Sequence, residues 1–80
     1  MISEQIKMAR AALGWSIEQL ADRTEVSSRT IKRIEAQAGS PAATAANLKL
    51  IRTTLEAAGI EFIGDATEGP GVRLWSKPQP

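Results

Sequence analysis

The sequence predicts a mainly α fold, a compact bundle of four helices closed by a short C-terminal β-hairpin or strand pair. Apolar residues recur at intervals of three and four from Ile6 to Ala58, as helical faces require. Capping and stopping residues interrupt that pattern at three places, and beyond Gly59 the period drops to two. A chain of 80 residues can enclose one modest core. Its 42% hydrophobic and 24% charged content lies in the globular range rather than the disordered or membrane-spanning one.

The first helix carries Ile6, Ala9 and Leu13, with Ser3 as the expected N-cap and Gly14 as the stop. Ser16 then precedes a helix of about two turns in which Gln19 completes a capping box and Ile17, Leu20, Ala21 and Thr24 share a face. Glu25 and Val26 form a tight connection to Ser27, whose hydroxyl is placed to cap a third helix carrying Ile31 and Ile34 on one side. Residues 37–41 read as a loop, because glycine ends helices and the residue before proline leaves helical geometry. Thr44 caps the longest helix, with Leu48, Ile51, Leu55 and Ala58 on one face and Gly59 as its stop. Ile60 and Phe62, then Val72 and Leu74, alternate with polar residues as two strands do. The connection from Gly64 to Gly71 reads as a flexible turn, and residues 76–80 as a frayed end. Residues 1–58 thus form the helical domain, and 59–80 a β extension of it.

Composition removes several functions. Without cysteine or histidine there are no disulfides and none of the usual zinc ligand sets, so no metal site is expected. Oligomerisation remains the natural supplement to so small a core, and a homodimer is expected. The carboxylates are dispersed and no nucleophile, base and oxyanion arrangement can be assembled, so neither catalysis nor a cofactor is expected. Met1 to Arg10 lacks the pattern of a signal peptide and no stretch approaches a membrane span, which points to a cytoplasmic, nucleoid-associated protein with no membrane partner. The net charge of +1 says little about partners, but Arg29, Lys32 and Arg33 lie close together between Ser27 and Ile34 with no acid among them.

Two short helices joined by a tight turn, the second with a basic face opposite an apolar one, place a helix in the major groove of DNA. Val26, Ile31 and Ile34 are claimed by the core, which leaves Ser28, Arg29, Lys32 and Arg33 outward, paired at i and i+4. Arginine can donate bidentately to guanine, serine can touch a base edge or a phosphate, and lysine suits phosphate. Ser27, first a helix cap, is close enough to a helix N-terminus to reach phosphate as well. The DNA-binding candidates are therefore Ser27, Ser28, Arg29, Lys32 and Arg33, with the recognition helix at 28–35. Trp15, between two helices, is assigned to packing. Trp75 stays open among exposure, cover for the helical core and a subunit contact.

The segment from Arg10 to Glu35, with Leu13-Gly14-Trp15-Ser16, Leu20-Ala21, Val26-Ser27 and Ile31-Lys32-Arg33-Ile34-Glu35, resembles the phage-repressor and Cro-like (XRE-type) helix-turn-helix family. The resemblance covers about the first 58 residues and implies a lambda-repressor-like bundle. It also implies a transcriptional regulator that binds double-stranded operator DNA as a homodimer on palindromic half-sites. It further implies an ion pair between Arg10 and Glu35, and for the C-terminal strands a part in dimerisation. The chain departs from the family at Ile17, where glutamine is usual, at Glu25, where the turn usually has glycine, and at Ala36-Gln37, where Asn-Gly follows the glutamate. The Ile17 departure removes a customary phosphate contact. Three activities fit: a repressor; the antitoxin of a toxin pair, with the toxin or another regulator as protein partner; and an interaction module that has lost DNA binding.

Overall fold

The computed structural model describes residues 1–37 and 44–75. Four helices, α1 (Ser3–Leu13), α2 (Ile17–Thr24), α3 (Ser28–Ala36) and α4 (Ala45–Ala57), precede strands β1 (Ile60–Ile63) and β2 (Gly71–Leu74). The strands pair antiparallel within the chain, Ile60 opposite Leu74 and Ile63 opposite Gly71. The loop expected at 37–41 lies mostly, and the frayed end at 76–80 wholly, outside the described residues.

One core joins all these elements. Ile6 and Ala9 of α1, Leu20 of α2, Val26 of the turn, Ile31 and Ile34 of α3, Ile51 and Leu55 of α4 and Ile60 of β1 are buried together. Each fully buried isoleucine or leucine contributes about 2 kcal/mol by leaving water. Trp15, Ile17, Ala21, Phe62 and Val72 pack half-buried around them, which assigns Trp15 to packing. Arg23 lies over the Trp15 ring at 4.4 Å and covers its outer face.

The helix ends follow their capping residues, with one exception. Ser16 accepts the Gln19 N–H at 3.1 Å and Gln19 Oε1 accepts the Ser16 N–H at 2.8 Å, a complete capping box. Thr44 accepts the Asn47 N–H at 3.1 Å. Gly14 ends α1 in the left-handed conformation at φ 69°. Ser3 is not the cap of α1: Ile2 occupies that position, and Ser3 is the first helical residue, fully buried, its hydroxyl without a partner among the described residues.

Gln5 replaces it. Its Oε1 accepts the Ile2 N–H at 2.9 Å, while Nε2 donates to the carbonyls of Ile63 and Gly71, each at 3.0 Å. One buried amide therefore closes the start of α1 and ties it to the ends of both strands, so its polar groups are satisfied where water is excluded. The strand connection is also more ordered than its glycines suggest. Asp65 Oδ1 accepts the N–H groups of Thr67 and Glu68 at 2.9 Å, and the Thr67 hydroxyl at 3.0 Å. These bonds, that from the Thr67 amide foremost, hold the Asp65 carboxyl below the usual carboxylate range. Gly64 bends the chain at φ 71°, where a side chain would meet the Glu68 carbonyl at 2.6 Å.

Candidate nucleic-acid interface

The turn between α2 and α3 sets the pose of the third helix. Glu25 ends α2 in the left-handed conformation at φ 62°, so the backbone keeps the bend that glycine makes easily and a β-carbon makes at a cost. The Thr24 hydroxyl donates to the Leu20 carbonyl at 2.8 Å and accepts the Val26 N–H at 3.2 Å, bridging the end of α2 to the turn. Val26 is buried beside Ile31 and Ile34, so the inner face of α3 is anchored by three apolar side chains.

The Arg10–Glu35 pair is the second anchor. Arg10 Nε donates to Glu35 Oε2 at 3.0 Å and Nη2 to Oε1 at 2.9 Å, a bidentate fork, while Nη1 donates to the Trp15 carbonyl at 3.1 Å. The Glu35 side chain is only 6% exposed. Hydrogen bonding to Glu35 raises the Arg10 guanidinium further above its ordinary value, so the guanidinium stays charged at any working pH. Three segments, α1, the turn after it and the end of α3, are thereby fixed in one register.

The opposite face of α3 is turned to solvent. Arg29, Lys32 and Arg33 are exposed and make no ion pair among the described residues; Ser28 is half-buried beside them. No acidic residue lies in the first turn of α3, so its N-terminal N–H groups add to the positive field. Ser27, exposed at the N-cap, is more committed than its position suggests. Its Oγ accepts the Thr30 N–H at 3.2 Å and donates to Thr30 Oγ1 at 2.8 Å. The Thr30 hydroxyl therefore shares the outer surface with the five residues named from the sequence, and nothing in the helical period singles it out.

The structure brings Ser27, Ser28, Arg29, Lys32 and Arg33 onto one short helix and its cap. Ile17, which replaces the usual glutamine, packs half-buried against the core, so the start of α2 offers no side-chain donor at that position. Trp75 is exposed; its Nε1 donates to Glu61 Oε1 at 2.9 Å, and Arg73 lies 5.8 Å from its ring. Among the described residues no group of histidine, cysteine or carboxylate side chains could hold a metal, and no helix is long and apolar enough to cross a membrane.

Two short helices in this geometry, the second anchored by its inner face and basic on its outer one, define a helix-turn-helix domain of the DNA-binding transcription-regulator kind. The family model described as helix-turn-helix matches residues 6–56, more than half of the chain, which belongs to the XRE-type helix-turn-helix family. A comparison with curated proteins gives no match.

Proposed function

We propose that the protein is a sequence-specific repressor that acts as a homodimer, inserting α3 into the major groove of operator DNA. The observation that carries this is the pairing of the two faces of α3. Val26, Ile31, Ile34 and the Arg10–Glu35 fork hold the helix from within, while Arg29, Lys32 and Arg33 stand outward with their charges unmet among the described residues. A side chain can discriminate bases only if its backbone is held to a fraction of an ångström, and free guanidinium groups on a fixed helix meet that need. Arg29 and Arg33 are assigned to base edges, Lys32 to phosphate, and Ser27 and Ser28 to the backbone at the start of the helix. Residues 1–58 make the DNA-binding part, and the β extension at 59–80 helps to hold two copies together, which sets their recognition helices on successive grooves about 34 Å apart.

Selection from a pool of random duplexes tests this reading. Enrichment of a palindrome whose half-sites lie one helical turn apart is the expected result, with log K falling linearly against log salt as phosphates are neutralised. Absence of any enriched sequence, with weak binding that the Arg29→Ala, Arg33→Ala double variant leaves unchanged, would overturn it. The C-terminal strands would then be examined for a protein partner.

A further inference from the structure

Helix α4 has two faces, and the core uses one. Ile51 and Leu55 are fully buried in it, and Leu48, on the same face by its spacing, is half-buried beside Met1 at the surface. On the opposite side Ala46, Leu50, Thr53 and Ala57 are all exposed, and Leu50 keeps 47% of its surface in water. The intervals between them are four, three and four, the spacing of a seam between two packed helices. Ala46, Leu50 and Thr53, with the stem of Lys49, line a shallow and almost wholly apolar hollow. Three of the four seam residues are small, so a second backbone can come close, with Leu50 as the projecting side chain.

The flanks of this seam identify what covers it. Lys49 and Glu56 lie along the same edge, seven residues apart, so two antiparallel copies of α4 centred between Leu50 and Thr53 bring Lys49 of each within about two residues, roughly 3 Å along the axis, of Glu56 of the other. The charge pattern of this edge is thus complementary to itself under a two-fold rotation, as a contact between identical chains requires; Arg23, beside Thr53 and Ala57, is held over the Trp15 ring. Lys49 makes no ion pair among the described residues. Glu56 bonds Arg52 through Oε2 at 3.1 Å, and Arg52 turns toward the Phe62 ring, which keeps its charge off the seam. A helix pair of about 20 Å buries less than the ~1,200 Å² of a stable interface, so a neighbouring surface must contribute. The structure supplies one: Leu74, exposed, lays its Cδ1 against Gly59 two residues beyond the last seam residue, and the exposed Trp75 follows it, its backbone carbonyl against the same glycine.

We propose that α4 packs antiparallel against α4 of a second copy of this chain, across a two-fold axis between Leu50 and Thr53, with reciprocal Lys49–Glu56 pairs and the Leu74–Trp75 end of the sheet completing the interface. This rests on the homodimer reading and adds to it a helical seam that the β extension lacks alone.

Sedimentation equilibrium of the full chain tests the seam. The wild type is expected to be a dimer, and Leu50→Arg to raise its dissociation constant about 100-fold by placing like charges face to face, with an unchanged helical circular-dichroism spectrum because Leu50 is half in water. Lys49→Glu and Glu56→Lys each weaken the dimer about tenfold, since two pairs change per dimer, and the double reversal restores it. A dimer that ignores Leu50→Arg, or that the double reversal leaves broken, overturns the α4 seam while the homodimer stands. If Leu74→Arg then splits it, the contact lies on the strands alone. A wild type that stays monomeric overturns both readings.

Discussion

Two guanidinium–carboxylate pairs, one among the helices and one on the hairpin, are chemically alike and physically different. Arg10 and Glu35 form a bidentate fork with side chains 25% and 6% exposed, whereas Arg73 and Glu61 meet through one bond of 3.1 Å with side chains 54% and 36% exposed. The first pair has lost most of its water and depends on its geometry; the second still shares its charges with solvent. Burial therefore decides which pair fixes structure. The buried one joins α1 to α3, while the exposed one decorates a hairpin that Gln5 already ties down from within.

Breaking each pair measures that contrast. Glu35→Ala is expected to cost about 3 kcal/mol, near the low end for disrupting a buried pair because Arg10 keeps a quarter of its side chain in water. In a domain of this size that lowers Tm by about 15 °C in a thermal melt. Affinity for a selected operator should fall as well, since α3 loses an anchor.

The outer face of α3 is tested by substitutions that leave the fold alone. Arg29→Ala is expected to relax base preference at its position, with about 1–3 kcal/mol of discrimination lost in competition binding against single-base variants. Lys32→Ala weakens binding to all sequences alike and lowers the salt slope by about one. Equal loss of specificity from both would show that the roles are wrongly divided.

The smaller effects sharpen the comparison. Glu25→Gly relieves a left-handed residue that is not glycine and is expected to raise stability by about 1 kcal/mol in a urea titration; a loss would mean that the Glu25 side chain contributes a contact worth more than the strain. Glu61→Ala removes the partner of Arg73 and of the Trp75 indole, yet should cost only about 0.5 kcal/mol because all three are substantially exposed. A cost near that of Glu35→Ala would refute the claim that burial separates the two pairs.

Much of this was legible in the sequence because it is local. The Ser16–Gln19 box, the Ser27 and Thr44 caps and the Gly14 stop act within three or four residues, so spacing reveals them. The Arg10–Glu35 fork spans 25 positions and was visible only through the family resemblance. Ser3 shows where local reasoning fails. It is a good capping residue, but the carbonyls of Ile63 and Gly71, 58 and 66 positions away, draw Gln5 inward, and the start of α1 is closed from that side instead. The Ser27–Thr30 hydroxyl pair is not legible from spacing, because capping alone is sufficient reason for a serine at position 27. Trp75, which alternation does not assign, is exposed because, among the described residues, the sheet has two strands and nothing covers its outer face.

The central claim, that the outer face of α3 reads DNA, is tested most directly by following backbone and side-chain NMR shifts while a selected duplex is added. The expected result is a set of perturbations centred on Ser27, Ser28, Arg29, Lys32 and Arg33, with intermolecular contacts from Arg29 and Arg33 to guanine. Perturbations confined to α4 and the strands, with α3 unmoved, would contradict it.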